Sequence, residues 1–369
     1  MKKSKLLLSL IILLMGHAMS TGCKPFKMEA KFDWSATLSA PVEYPMTVIK
    51  GWIGGNDYTQ GLSDWGINNA GWGNEGRSIA SGPDGKGVPD SLHLFWRSFA
   101  EHKFYKGSFA LPKEKITAWF KEGFMDTYFD TVRKETYKVF IVGMGPEGRV
   151  TVWLQGGSGM QQEIARFRAT EVLVKKEDLP EEEAYLFNEG FDESVMTDSM
   201  IIKKHYKAKL AQYGLPDPAL YDDYEQRYQW QPVLELSGEG STVSSGSIYM
   251  CNGEKQFRYQ DEFPYKESRA IPYLFFLGWR DKTGKGHASW IVLTEDKDYW
   301  VRFKKGEDAM LPIDFERSEI RKAFKEKIDP NRPSKLVIRI PEPEKRVVEI
   351  FLQQDSITVP IKNIRHITN

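Results

Sequence analysis

"HLFWRSFAEHKFYKGSF", residues 93–109, returns in altered form as "HASWIVLTEDKDYWVRF", residues 287–303. The two align without a gap. His93/His287, Trp96/Trp290, Glu101/Glu295, Lys103/Lys297, Tyr105/Tyr299 and Phe109/Phe303 are identical, six of seventeen positions. Aromatic residues and a tryptophan are among them, which makes chance a poor explanation. A repeat found this early governs how the rest of the chain is read.

Other segments match in the same order. "YPMTVIKGW" (44–52) pairs with "IPYLFFLGW" (271–279), and "ITAWFKE" (116–122) with "IRKAFKE" (320–326). "KVFIVGMGPEGRVTVWLQ" (138–155) pairs with "LVIRIPEPEKRVVEIFLQ" (336–353). The expectation is an α+β, β-rich chain of two diverged tandem repeats. Each repeat is an antiparallel sheet with one packed helix.

Local signals support that order. Residues 44–52 form a short apolar run rich in β formers. Residues 92–99 and 103–109 read as a hairpin turning at 100–102. "LPKEKITAWFKEGF" reads as a helix: Pro112 suits its first turn, Ile116, Trp119 and Phe120 make an apolar stripe, and Gly123 suits its end. Residues 138–155 read as a second hairpin turning at Pro146-Glu147-Gly148. Residues 176–228 differ in character and read as a helical connector. "SVMTDSMIIKKHYKAKLAQYG" is expected to be one amphipathic helix ending at Gly214, with another starting at Pro218. Asn252-Gly253 then signals a hairpin turn, with Cys251 a half-buried strand residue beside it. Repeat one spans 23–175 and repeat two 229–369.

The repeat isolates an unusual loop. Forty residues (53–92) separate Trp52 from His93, whereas seven (280–286) separate Trp279 from His287. Repeat one therefore carries an insertion at a strand connection. It holds ten glycines together with Tyr58, Trp65, Asn69, Trp72 and Asn74. Long irregular loops in compact domains are mostly functional or disordered, and disordered segments are poor in tryptophan. The indoles either tuck the loop onto its own sheet or serve as a contact surface. Aromatic faces beside amide groups suit a glycan or protein ligand. These five residues are the candidate ligand or partner loop.

The beginning of the chain reads as an address. "MKKSK" followed by "LLLSLIILLM" has the charge and length of a secretory signal peptide, residues 1–22, too short to span a bilayer. "STGC" resembles the bacterial lipobox, which makes Cys23 the expected lipid-attachment residue, carrying acyl chains such as palmitate. Ser20 departs from the leucine that pattern prefers. Two or more acyl chains anchor firmly where one is marginal. With Cys23 acylated, Cys251 has no partner for a disulfide.

The chain has 51 basic and 51 acidic residues, with no basic excess of the kind nucleic-acid binders carry. No partner of that class is expected. No HxxxH, HExxH or CxxC is present, so neither a metal site nor a cofactor is expected. Glycine-rich 156–160 and 237–246 fit neither a nucleophile elbow nor a phosphate loop. His93 with Glu101 is conceivable as an acid–base pair. Recurrence of both in two diverged repeats is also explained by structure, and no catalytic residue is assigned.

One family fits these residues. Tyr44-Pro45, Gly71-Trp72-Gly73, Val88-Pro89-Asp90, Trp96, Ser98, Glu101, Lys103-Phe104-Tyr105, Gly107, Phe109 and Leu111-Pro112 resemble the bacterial lipoprotein family known as domain of unknown function 2931, over about residues 30–125. Repeat two keeps only part of the pattern, with Val292 and Val301 in place of Ser98 and Gly107. The resemblance implies a Gram-negative cell-envelope lipoprotein with an immunity or adaptor role, and it transfers no catalytic residue. The expected function is non-catalytic binding at the envelope. The anchor is expected at the outer membrane, on its periplasmic face or at the cell surface, with a protein partner. Glycan capture through Trp65 and Trp72 is one alternative, and a hydrolase centred on His93 and Glu101 is another.

Overall fold

The computed structural model describes residues 30–63, 65–77, 82–128, 131–236, 240–259, 268–306, 310–340 and 348–368. Cys23 and residues 1–22, read above as a signal peptide, lie outside the described residues. Residues from Phe32 onward form one unit, and the account below concerns that unit.

The first half begins with strands β1 (Ser35–Ser39), β2 (Met46–Gly54), β3 (Ser91–Ser98) and β4 (Lys103–Ala110). Helix α1 (Lys113–Glu122) follows, then β5 (Tyr137–Met144), β6 (Arg149–Gly156), β7 (Gln161–Arg168) and β8 (Thr170–Val172). The connector holds α2 (Phe191–Thr197), α3 (Lys204–Tyr213) and α4 (Ala219–Tyr224). The second half opens with β9 (Trp230–Leu236), β10 (Thr242–Met250), β11 (Lys255–Tyr259), β12 (Pro272–Arg280) and β13 (Gly286–Val292). Helices α5 (Lys297–Lys304) and α6 (Glu319–Lys327) come next, then β14 (Ser334–Ile340), β15 (Glu349–Gln354), β16 (Ile357–Ile361) and β17 (Arg365–Thr368). The chain is therefore β-rich α+β.

Three sheets organise it. The largest runs β1-β5-β6-β7-β11-β10-β12-β13-β17 and crosses from the first half to the second at the pair Gln161↔Lys255. A second runs β8-β4-β3-β2, with the short strand Thr59–Gly61 on its β2 edge. A third runs β9-β14-β15-β16. In both halves the first strand lies parallel to a much later one, β1 on β5 and β9 on β14, and the following hairpin is antiparallel. The sheets are thus mixed, not purely antiparallel. A strand laid down early and rejoined after a hairpin and a helix can return in the same sense, which a short turn cannot achieve.

Local chemistry explains most elements. Helix α1 buries Ile116 and Phe120 and stops at Gly123, whose φ of 61° favours a residue without Cβ. The β5–β6 turn places Glu147 and Gly148 at φ 55° and 73°, and Gly253 closes the β10–β11 turn at φ 86°. Two expectations fail. Residues 287–303 do not form a hairpin, because the chain enters α5 after β13. The Asp296 carboxylate accepts from Asp298 N–H (2.9 Å) and caps that helix, and Tyr299, Trp300 and Phe303 stack at helical spacing. With no strand in the place of β4, β17 pairs directly with β13. The expected single helix in the connector is two. Asp198 is extended, and its carboxylate accepts from Met200 N–H (2.8 Å). Such local side-chain bonds compete with the helix.

One apolar core joins the inner face of the β1-β5-β6 ladder (Ala36, Phe140, Val152, Leu154) to Leu92, Leu94 and Trp96 of β3 and to α1. A second gathers Leu336, Ile338, Ile350 and Leu352 with Leu274, Ile291 and Phe324. That second core also takes in Tyr44, Trp72, Ile141 and Trp153 from the first half.

Candidate functional site

The long loop is cladding. Trp65 lies in the first core and Trp72 in the second, 6% and 7% exposed. Neither indole offers a face to a ligand, which corrects the reading of them as a contact surface. Trp72 meets Trp153 and Tyr221 edge-on, at 5.0 and 5.5 Å between ring centres. Its neighbour Gly73 (φ 75°) lies against Gly253, and a Cβ on Gly73 would sit 2.5 Å from the Gly253 Cα. The Gln161 carboxamide donates to the carbonyls of both glycines, each at 2.6 Å. Gly-Trp-Gly and Asn-Gly are therefore two halves of one contact, 180 residues apart in sequence.

The remaining loop candidates serve the same contact or its surroundings. The ammonium of Lys86 lies over the Tyr58 ring at 5.1 Å. Asn69 donates to the carbonyl of Ile201 in the connector (2.8 Å). Asn74 donates to Ala70 O and accepts from Lys255, both at 3.4 Å. Backbone groups of β1 complete the seam. Gly71 N–H donates to Ala40 O and Gly76 N–H to Leu38 O, both at 2.9 Å. Gln60 and Gln161 carry much of this seam, and no motif marks either one.

The acid–base candidates do not meet. His93 pairs across strands with Ser108, while Glu101 sits beyond Ser98↔Lys103 at the other end of the hairpin. His93 stacks on Trp52 at 3.9 Å, and its Nδ1 is 2.7 Å from Ser108 Oγ. Partial burial lowers its pKa. Glu101 accepts from Ser98, Tyr105 and Glu147 N–H at 2.7, 2.9 and 2.8 Å. It is a turn brace, and it pushes the Tyr105 hydroxyl pKa upward after burial has already raised it. His287 stacks on Trp279 at 4.3 Å and bonds Asp281 at 2.9 Å. Cys251 is fully buried, not half-buried, and burial pushes its thiol up to about 12. A thiol held protonated is a poor nucleophile. Among the described residues no cluster of three His, Cys, Asp or Glu side chains could hold a metal.

The open surface lies elsewhere. The β1-β5-β6-β7 ladder is covered on both sides: its outer row Thr37↔Ile141↔Trp153 is fully buried under Trp72, α4 and the Cys251–Gly253 turn. The β9-β14-β15-β16 ladder has the same strand senses but, among the described residues, lacks that cover. Its outer rows are Gln231↔Lys335↔Gln353↔Thr358, Val233↔Val337↔Phe351↔Pro360 and Glu235↔Arg339↔Glu349. Phe351, aligned with Trp153, is half-buried, and Lys335, Arg339, Glu349 and Pro360 are exposed. Arg339 covers the Phe351 ring at 5.3 Å. A cavity of about 610 Å³ opens at the end of this sheet, with Gln231, Lys335, Gln353 and Asp355 in its wall. Amides, one ammonium and one carboxylate around such a space are suited to hydrogen bonding.

Comparison with known families bears on the clad half. The model described as "Protein of unknown function (DUF2931)" matches residues 20–217, more than half of the chain. The chain belongs to this family. The DUF2931 match extends well past residue 125 and takes in α2 and α3; Val195 of α2, and Leu186 in the turn ahead of it, pack with Phe99 and Phe104. No curated protein and no solved structure matches the chain significantly.

Proposed function

We propose that this DUF2931 member is a non-catalytic, lipid-anchored protein of the cell envelope that works by binding a protein partner, as an adaptor or immunity-type protein. We also infer that its halves are diverged copies of one unit. Matching strand senses support that inference, as do the paired Trp52–His93 and Trp279–His287 stacks.

The single observation that carries the binding reading is the outer face of the β9-β14-β15-β16 sheet, which no loop or helix among the described residues covers as Trp72 and α4 cover the first. Its counterpart in the first half needs a loop, a helix and a turn to cover it. An apolar row of half-buried Val233 and Phe351 and exposed Pro360, with Val337 buried between them, lies between two polar rows and has the composition of an interface core with a polar rim. The anchor is Cys23, and acyl chains there supply membrane attachment.

The test has two arms. Labelled palmitate should enter the native chain and not Cys23→Ala. Envelope cross-linking should recover a partner with the native chain and lose it with Phe351→Glu, whose unfolding curve should stay near native. Recovery of the same partners by Phe351→Glu would remove this face from the proposal, and turnover of a substrate dependent on His93 would replace binding with catalysis.

A further inference from the structure

We propose that the free edge of β9 accepts an extended peptide strand from a protein partner, adding a fifth strand to the β9-β14-β15-β16 sheet. This rests on the binding reading above and specifies where and how the partner docks.

The backbone of β9 sets the geometry. Ser334 N–H donates to Gln229 O (2.8 Å), so residues 229, 231, 233 and 235 turn their N–H and C=O groups toward β14. Trp230, Pro232, Leu234 and Leu236 turn theirs to the open edge. Arg269 occupies the Trp230 carbonyl (2.9 Å), and Pro232 has no N–H to offer. Among the described residues nothing meets the N–H or carbonyl of Leu234. Unpaired edge groups of this kind are templates for strand addition unless the protein blunts them.

The edge of β1 displays what an equivalent edge takes up. The Gln60 carboxamide pairs with Ala36 as a peptide group would: Ala36 N–H donates to Gln60 Oε1 and Gln60 Nε2 donates to Ala36 O, both at 3.0 Å. Leu38 and Ala40 then receive the N–H groups of Gly76 and Gly71. Three successive outward positions are met by amides, all drawn from the long loop. The second half has only the seven-residue connection 280–286 and supplies no such amides from it.

Charge and pattern narrow the occupant. Glu235 is the one charged side chain of β9 and lies exposed beside the edge; it pairs with Arg339 at 2.8 Å, which Glu349 also meets at 3.2 Å. Leu234 turns toward the core with Leu336 and Ile338, and Glu235 turns outward. A fitting strand alternates an apolar residue opposite Leu234 with a lysine or arginine beside Glu235. Main-chain bonds then give affinity and alternate side chains give selectivity.

The probe is a phage-displayed library of random peptides, panned on the mature chain carrying Cys23→Ser. Selected peptides should alternate apolar and basic residues and slow hydrogen exchange at the Leu234 and Leu236 amides. Leu234→Pro should abolish binding; it removes an outward N–H and no ladder bond, as Pro232 already does. Glu235→Lys should shift selection toward acidic peptides, and it decides the matter if Leu234→Pro fails to fold. Selection of no peptide, protection of other amides, or unchanged binding by both variants would overturn the proposal. So would self-association through β9 seen by light scattering. A partner recovered by cross-linking and indifferent to Leu234→Pro would sink the edge while leaving the binding reading in place.

Discussion

The β1 sheet and the β9 sheet are built from strands of the same sense and meet opposite fates. Among the described residues the first is buried on both faces and sealed at its edge; the second is buried on one face, and its edge is met at Trp230 by Arg269 but not at Leu234. The difference does not lie in the strands alone. It lies in the 53–92 insertion and in α4, which bring Trp65, Trp72, Gln60 and Tyr221 to one sheet and leave the other without equivalents. That contrast supports the binding reading proposed above.

The sharpest way to break the comparison is to truncate the aligned aromatics. Trp153→Ala should cost about 3–5 kcal/mol in chemical unfolding, because it empties a buried site. Phe351→Ala should cost only about 1 kcal/mol, since part of that ring already faces water. Equal losses would mean that the second face is covered too. Gly73→Ala comes next. It forces Cβ into a left-handed position and into Gly253, and a loss of about 2–4 kcal/mol is expected from thermal unfolding. A silent substitution there would remove the Gly73–Gly253 contact from the account.

Gln60→Ala should cost about 1–3 kcal/mol by stranding the backbone groups of Ala36. Hydrogen exchange at the Ala36 amide should rise to resemble that of Leu234, and unchanged protection would mean that another group seals the edge. The cladding also brings in a titratable group. Glu43 accepts from the Tyr221 hydroxyl at 2.7 Å, and burial raises its pKa above the ordinary carboxylate value of 4.5. A carboxyl whose folded pKa is raised contributes stability that is full below its unfolded pKa and is lost as pH rises through the folded one. The native chain should therefore lose stability relative to Glu43→Gln from about pH 4.5 upward. A gap that stays constant across that range would contradict the assignment. The smallest effect is expected at His93. His93→Ala should change stability by less than about 1 kcal/mol, because it loosens one half-exposed stack and one exposed hydrogen bond. A much larger loss would give that pair a weight the geometry does not.

Much of the local structure was legible. Pro112 and Gly123 bracket α1, Glu147-Gly148 turns the β5–β6 hairpin, and Asn252-Gly253 turns β10 into β11, because each depends on neighbours within a few residues. The pair 93–109 and 287–303 was only half legible. Both segments carry the same histidine, tryptophan and glutamate, yet Asp296 starts a helix where Glu101 and His102 turn a hairpin. Identity at six positions preserves a pattern of burial and does not fix the backbone between them. The candidate loop was legible as an insertion and misleading as a surface. Trp72 looks exposed in sequence because its partners, Trp153 and Tyr221, lie 81 and 149 residues away.

By itself the sequence determined the β-rich composition, the turns and the first helix. These follow from residue type and short spacing. Only the tertiary structure decided that strands of the two halves share one sheet, that Trp72 closes the joint between them, and that the tryptophans of the long loop are buried while the backbone of Leu234 in β9 meets no partner among the described residues. Burial and edge pairing are set by which distant segments arrive, and a strand's own residues do not record whether anything comes to cover it.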